Sequence, residues 1–110
     1  MDVRESDQRQ GLFGRSYTLG LTIAAQNEAQ LVLELADVAG AIGPWIAKRG
    51  KRARRVQLTV VATDPILDAF ETRLGALLDA GLQGTLAGRP LLISAFHPDR
   101  TWVRDGTIGG

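Results

Sequence analysis

The stretch Val56-Gln57-Leu58-Thr59-Val60-Val61-Ala62, followed closely by Asp64-Pro65, decides the fold. Its β-branched and apolar residues are typical of a buried strand. Asp64 has the acceptor side chain of a helix N-cap, and Pro65 suits the first helical position. We therefore expect a strand that passes directly into a helix, which is the beginning of an α/β arrangement.

The residues before this stretch predict another strand and another helix. Residues 16–24 alternate apolar side chains with Thr, Gly and Ala, which is the period of a strand. Asn27 and Gln30 have the spacing of a helix-starting capping box, whereas Gly40 and Pro44 predict a break in the helix. The apolar face of this helix consists of Leu31, Leu35, Val38 and Ile42.

The residues after this stretch predict a second helix, a third strand and a hairpin. The helix is expected to end at Gly81 and to be followed by a loop over 83–89. Leu91–Phe96 is apolar on both faces and suits a central strand. A turn at 97–100 then leads to an edge strand at 101–104. The helix has the clearest apolar stripe in the chain, formed by Leu67, Phe70, Leu74, Leu77 and Leu78.

These elements predict one domain of the α/β class. Its mixed sheet has the chain order β-α-β-α-β-β, with helices packed on the sheet. We expect the domain to cover 15–106, between a flexible N-terminal tail over 1–14 and a flexible C-terminal tail over 107–110. With 110 residues, of which 45% are hydrophobic, the chain can bury a core without disulfides or metals.

Positive charge is concentrated in residues 48–55, called the basic segment below. The chain has 13 basic and 12 acidic residues, so 7 basic residues face 12 acidic ones outside this segment. A strong positive patch in an otherwise acidic protein is a candidate docking site for an anionic partner. The alternative without a binding function is a solvent-exposed connection between helix and strand, in which the cations stabilise the C-terminal end of the helix through its dipole. The six cations are Lys48, Arg49, Lys51, Arg52, Arg54 and Arg55.

Several kinds of chemistry find no support in the sequence. The chain has no cysteine, which excludes disulfides, thiol redox chemistry and thiolate metal sites. His97 is the only histidine, so we expect neither a metal site nor a cofactor. His97 and Asp99 could form a general base, but no recognisable nucleophile motif accompanies them, and a histidine in a turn is the preferred interpretation. Catalysis is therefore not predicted.

The sequence also bears on location. The polar N-terminus lacks the pattern of a signal peptide. We find no uninterrupted apolar run near the ~20 residues that a membrane-spanning helix needs. We therefore expect a cytoplasmic protein without membrane insertion. The final Gly109-Gly110 resembles the end of ubiquitin-like carriers, but the order of elements differs, and a flexible tail is the preferred interpretation.

The two tryptophans are candidate interface residues. Trp102 lies on the predicted edge strand, between Arg100 and Arg104. Exposed tryptophan is common in binding hot spots, and an edge strand can pair with a partner strand. For Trp45 we expect burial in the core instead.

The order of elements resembles the thioredoxin-like fold without its last helix. Pro90 directly precedes the third strand, where that family places a proline that is usually cis. The CxxC pair of redox members would follow the first strand, where this chain has Gln-Asn-Glu-Ala at 26–29, so the resemblance does not imply disulfide exchange. Among cysteine-free members, residues 17–21 and Pro90-Leu91-Leu92 followed by Pro98 are similar to the KaiB clock-protein family. Members of this type bind other proteins.

These observations predict a non-catalytic accessory domain. Its partner would be another protein or a second copy of the chain, bound through the terminal hairpin and the basic segment. One alternative is a nucleic-acid-binding accessory protein that uses the basic segment. Another is a subunit of an enzyme or assembly whose site is completed by another chain.

Overall fold

The computed structural model describes residues 1–9, 14–68, 82, 84–97 and 103–108. Within these residues the chain alternates strands and helices, and a short 3-10 turn at Gly50–Arg52 joins the first helix to the third strand. The elements are β1 (Asp2–Arg9), β2 (Arg15–Ala25), α1 (Glu28–Arg49), β3 (Ala53–Ala62), α2 (Asp64–Asp68), β4 (Leu91–Phe96) and β5 (Val103–Ile108).

The strands form one mixed sheet in the spatial order β1-β2-β3-β4-β5. Strands β2, β3 and β4 are parallel, whereas β1 and β5 run antiparallel to their neighbours at the two edges. The α/β class and the mixed sheet are therefore confirmed. From β2 onward the elements follow the chain order expected from the sequence, and the predicted bounds of β4 agree with the structure.

The helices cover one face of this sheet. Leu21, Leu58 and Ile93 lie in register across β2, β3 and β4, and all three are buried. The apolar stripe of α1 packs in the same core, together with residues from α2 and from the segment before β4. The buried residues of α1 are Leu31, Leu35, Val38, Ile42 and Trp45.

The opposite face of the sheet, called the open face below, has no buried side chain among the described residues. It alternates with the core positions along each strand, because successive side chains of a strand point to opposite faces. Polar or small residues occupy most of it. Its central part consists of Thr18, Gly20, Thr22 and Ala24 on β2, Arg55, Gln57, Thr59 and Val61 on β3, and Leu92 and Ser94 on β4.

Both ends of the chain differ from the expected tails. Asp2–Arg9 forms the edge strand β1, and β5 extends to Ile108. Every residue of β1 is exposed, so the strand has no apolar alternation that could reveal it in the sequence. Its backbone pairs with β2, from Asp2 opposite Thr22 to Arg9 opposite Arg15.

Helix α1 runs without a break through Gly40 and Pro44, so the predicted interruption is wrong. Pro44 cannot donate a hydrogen bond to the carbonyl of Gly40. Both residues are exposed, which allows water to reach that carbonyl. The buried stripe continues through this turn to Trp45, which is 8% exposed, and packing therefore outweighs the missing bond. The expected burial of Trp45 is confirmed.

The predicted start of α1 is also confirmed. Asn27 is the N-cap, and its Oδ1 accepts a hydrogen bond of 2.8 Å from the amide of Gln30. Helix α2 includes Asp64 itself, and the carbonyl of Thr63 accepts from the amide of Leu67. Thr63 thus occupies the cap position expected for Asp64, a shift of one residue.

The segment before β4 is more helical than expected. Leu67 of the predicted stripe is buried, whereas 70–78 and Gly81 lie outside the described residues. Residues 82 and 84–86 are helical, and Leu82 and Leu86 are buried, so a helix occupies part of the loop predicted at 83–89. The peptide bond before Pro90 is trans.

Helix α1 with the turn after it is long and apolar enough, by length and composition, to cross a membrane. The sequence pattern did not suggest this, because Glu34 and Asp37 interrupt the apolar residues. In this fold the apolar stripe of α1 packs against the sheet.

We predict that Ile42→Ala lowers the free energy of unfolding by about 2–5 kcal/mol, because Ile42 is fully buried and the substitution leaves a cavity. Leu33 on the same helix is 70% exposed, so Leu33→Ala is the matched control and should change stability by less than about 0.5 kcal/mol. Urea denaturation measures both. Equal effects would contradict the packing of α1.

Candidate functional site

The basic segment crosses three elements at one end of the sheet. It covers the last residues of α1, the 3-10 turn and the start of β3. The strand register brings three further cations to this end, from β1, from β2 and from the residue before Pro90. We call these nine residues the basic end: Arg9, Arg15, Lys48, Arg49, Lys51, Arg52, Arg54, Arg55 and Arg89.

Three members of the basic end were missed by sequence reasoning, namely Arg9, Arg15 and Arg89. They are far from the basic segment along the chain, and only strand pairing brings them close. Arg9 lies opposite Arg15 in the register of β1 and β2. Arg89 contacts the basic segment directly. The alternating sequence of β2 could have placed Arg15, but no sequence signal would have placed Arg9.

Arg49 faces inward and has a structural role. Its Nε donates a hydrogen bond of 2.9 Å to Oε2 of Glu5, and its Nη2 contacts Oε1 of the same carboxylate. The indole Nε1 of Trp45 donates to Oε2 of Glu5 at 2.6 Å. The guanidinium also stacks on the ring of Tyr17, 3.8 Å from its centroid. This cluster ties the edge strand β1 to the end of α1.

The same cluster shifts two pKa values. Hydrogen bonds from Arg49 lower the pKa of Glu5, with a smaller contribution from Trp45, against a desolvation effect that raises it. The carboxylate of Glu5 correspondingly raises the pKa of Arg49. The folded state therefore favours the charged forms of both residues.

Arg89 fixes the backbone of the basic segment. Its guanidinium donates hydrogen bonds to the carbonyls of Gly50 at 2.7 Å, Ala53 at 2.9 Å and Ala87 at 3.1 Å. Gly50 has a positive φ of 57°, which favours glycine at this turn. Arg89 thus acts as a brace that joins the segment before β4 to the turn between α1 and β3.

An irregularity at the start of β3 keeps two arginines out of the core. The register with β2 shifts so that Tyr17 pairs with Ala53 and Thr18 with Arg55. Ala53 and the next core residue, Val56, are buried, and the two residues between them are not. In a regular strand one of two consecutive residues would face the core. The bulge allows Arg54 and Arg55 both to project outward.

Five cations of the basic end make no ion pair within the part of the chain that the structure describes, and all five are exposed. They are Arg9 on β1 and Lys48, Lys51, Arg52 and Arg54 of the basic segment. Arg55 is partly covered, and its Nε donates a long hydrogen bond of 3.4 Å to Oγ1 of Thr18. These side chains can donate many hydrogen bonds to phosphate or carboxylate oxygens.

The described acidic residues near this end are already paired. Glu5 binds Arg49, and Oδ2 of Asp7 accepts from Arg15 at 3.0 Å. Asp2 and Glu28 lie at the other end of the sheet, at the start of β1 and of α1. Within the described residues, charge is therefore separated along the strands, and the basic end has more cations than anions.

Of the predicted interface residues of the terminal hairpin, the structure describes the backbone of Arg104 alone. Arg100 and Trp102 are outside the described residues, and Arg104 lies on β5 opposite Ala95. Strand β5 begins opposite Phe96, next to Val61 of β3. Val61 is five residues, or about 16 Å of strand, from Val56, the first residue after the basic segment. The structure thus does not bring the basic segment and the start of β5 together.

A second polar contact lies at the carboxyl ends of the parallel strands. Nε2 of His97, just after β4, is 3.9 Å from Oδ1 of Asp64, just after β3. Sequence reasoning paired His97 with Asp99, which lies outside the described residues. The sequence could have placed Asp64 near His97, because each residue follows a predicted strand. The carboxyl ends of neighbouring parallel strands meet at one edge of the sheet. Among the described residues, no cluster of three or more His, Cys, Asp or Glu could hold a metal ion.

Comparison with protein-family models, with curated proteins and with solved structures finds no match to this chain. The resemblance to the thioredoxin-like fold and to the KaiB family therefore stays a prediction. What is known of the candidate site comes from its own geometry, in which the basic end is the largest concentration of unpaired charge in the described residues.

We predict that Glu5→Ala lowers the free energy of unfolding by about 1 kcal/mol near neutral pH, because Trp45 loses its hydrogen-bond acceptor. The lowered pKa of Glu5 sets the pH dependence. The stabilisation should be full above roughly pH 4–5, where glutamate ordinarily titrates, and should be lost as pH falls through the lowered pKa.

Denaturant melts of the wild type and the variant at a series of pH values measure this difference. Asp7→Asn is the control, because Asp7 belongs to an exposed ion pair with Arg15 and should contribute little. A stability difference for Glu5→Ala that stays constant down to strongly acidic pH would contradict the proposed role of its charge.

Proposed function

We propose that this protein binds the phosphate backbone of nucleic acid through its basic end. The observation that carries the proposal is the surplus of exposed cations. Lys48, Lys51, Arg52 and Arg54 are held together on one short segment, and the described acidic residues near them already have partners. Such a surface attracts a polyanion and gains affinity when bound counterions are released.

The composition of the basic end favours nucleic acid over an acidic protein. A protein interface usually has an apolar or aromatic centre that provides most of the binding energy. The large exposed hydrophobic residues of the described chain lie elsewhere, namely Met1 and Val3 on or beside β1 and Val32 and Leu33 on α1. Cations without an apolar centre suit a ligand that presents repeated charge.

The braces beneath the surface support the same function. Arg49 and Arg89 use their guanidinium groups to hold the turn, so the exposed cations stand on a fixed backbone. A fixed array loses less conformational entropy on binding than cations on a flexible loop. Because phosphate contacts carry no sequence information, the expected binding is independent of base sequence.

We predict that the triple variant Lys51→Gln, Arg52→Gln, Arg54→Gln binds nucleic acid about tenfold or more weakly than the wild type. The slope of log affinity against log salt concentration should fall by about 3, one for each lost phosphate contact. Fluorescence anisotropy with a labelled oligonucleotide over a salt series measures both quantities. The melting temperature should change little, because the three side chains are exposed.

The control is a triple variant that changes net charge equally at another place. Ala29→Glu, Leu33→Glu and Ala36→Glu lie on the exposed side of α1 and also lower the net charge by three. This variant should keep most of the affinity and the salt slope. Equal losses for the two variants would mean that net charge alone attracts nucleic acid, and a wild type without salt-sensitive binding would contradict the proposal.

A second candidate function is the one expected first from the sequence, association with a protein or with a second copy of the chain through the terminal hairpin. One observation favours it: among the described strands, β5 lies at the edge of the sheet and pairs with β4 alone. An edge strand offers free backbone groups to a partner strand. The resemblance to protein-binding thioredoxin-like domains agrees with this candidate, but neither proposal depends on that resemblance.

If a second copy pairs with β5, sedimentation velocity of the wild type should show a concentration-dependent dimer. Trp102→Ala should weaken that dimer, whereas the triple glutamine variant of the basic segment should leave it intact. A wild type that stays monomeric over the accessible concentration range would contradict self-association through this edge.

A further inference from the structure

We infer that the bound nucleic acid is a duplex and that it lies on the half of the open face that adjoins the basic end. This inference rests on the proposed function and extends it from the basic segment to a defined footprint. The observations that carry it are the strand register, the polar composition of the open face and the positions of its charged residues.

The register places two arginines of different strands on this half of the face. Arg55 lies opposite Thr18, and its guanidinium Nε is bonded to the threonine hydroxyl. Two residues along β2, Gly20 lies between Arg4 on β1 and Gln57 on β3. The side chain of Arg4 is 86% exposed. The positive surface thus continues from the basic end onto the sheet.

The composition of the open face is unusual for parallel strands. Parallel sheets are usually covered on both faces and have apolar residues on both. Here the half of the second face next to the basic end has Thr18, Gly20, Arg55 and Gln57, with Leu92 as its apolar member. Hydroxyl and amide side chains commonly contact phosphate and sugar oxygens in nucleic-acid complexes. The face is therefore suited to a polar ligand.

Asp2 sets the far limit of the footprint. It lies opposite Thr22, and Thr22 lies opposite Thr59. Asp2 also contacts Arg4, at 3.4 Å in a highly exposed pair that contributes little. A phosphate beyond this row would meet the carboxylate of Asp2. The expected footprint hence ends between Gln57 and the row of Thr22.

Among the described residues, the composition of this half of the open face suits a duplex. Proteins that bind single strands usually stack the bases on aromatic side chains. On the strand positions that the structure describes between the basic end and the row of Thr22, no open-face residue is aromatic. A duplex keeps its bases stacked on each other and offers phosphates at higher density, so it needs no such platform.

The test compares two single substitutions on the same face of the sheet. Gln57→Glu places a carboxylate inside the footprint, and Ala24→Glu places one about four residues farther along, beyond a screening length at physiological salt. Both positions are exposed. Gln57→Glu should weaken duplex binding about five- to tenfold, whereas Ala24→Glu should leave it within about twofold.

Arg4→Gln is a second variant that does not depend on the stability of a central strand. Since Arg4 lies on the edge strand and is exposed, its replacement should preserve the fold. It should lower the salt slope for duplex binding by about 1. Melting curves of all three variants verify that they are folded at the assay temperature.

The probes are a duplex DNA, a duplex RNA and a single DNA strand of equal length. Both duplexes should bind more tightly than the single strand. The ratio of the two duplex affinities shows whether the protein prefers DNA or RNA. Equal effects of Gln57→Glu and Ala24→Glu, or a single strand that binds as tightly as the duplexes, would overturn the inference while the basic-segment variants still support the proposed function. If no probe binds the wild type, both proposals fail.

Discussion

The direction of the two crossovers in this protein constrains the rest of its structure. Strands β2, β3 and β4 are parallel and adjacent in chain order, so each connection must return over the sheet before the next strand begins. Such connections are nearly always right-handed, and two in the same direction place both helices on one face. The core and the open face both follow from this one constraint, and so does the meeting of the strand starts at one end.

The basic end shows how similar residues can serve two purposes. Arg49 and Arg89 face inward and bond to a carboxylate and to main-chain carbonyls, whereas Arg52 and Arg54 face outward. The inward pair stabilises the fold through hydrogen bonds, since a guanidinium can donate several bonds in fixed directions. The outward residues contribute exposed positive charge to the surface. A count of arginines in the sequence cannot separate these roles, because the difference arises from contacts with Glu5 and Ala53.

The sequence predicted best where burial and local hydrogen bonding act together. The apolar run of β4 and the cap at Asn27 agree with the structure because each depends on neighbouring residues. The break at Pro44 was wrong, since the core contacts of α1 come from distant strands and outweigh one missing bond. Strand β1 could not be predicted, because every residue except Val3 is polar and the strand is held by backbone pairing with β2.

The candidate site was predictable only in part for the same reason. The basic segment is contiguous and visible in the sequence, but Arg9, Arg15 and Arg89 join it through the register of the sheet. The polarity of the open face was likewise hidden, since the alternation that identifies a strand does not say which elements cover each side. An apolar pattern predicts which residues are buried, but it does not predict which residues the polar side chains contact.

Strand β1 also has a consequence for how this protein behaves at high concentration. It covers one hydrogen-bonding edge of β2, whose core positions are Leu19, Leu21 and Ile23, and five of its own eight residues are charged. Charged edge strands discourage sheets of different molecules from joining. A protease cut between the two strands, followed by loss of the short N-terminal peptide, would expose the unpaired backbone N–H and C=O groups of β2. The chain would then tend to polymerise sheet to sheet and lose solubility, although its core would be unchanged.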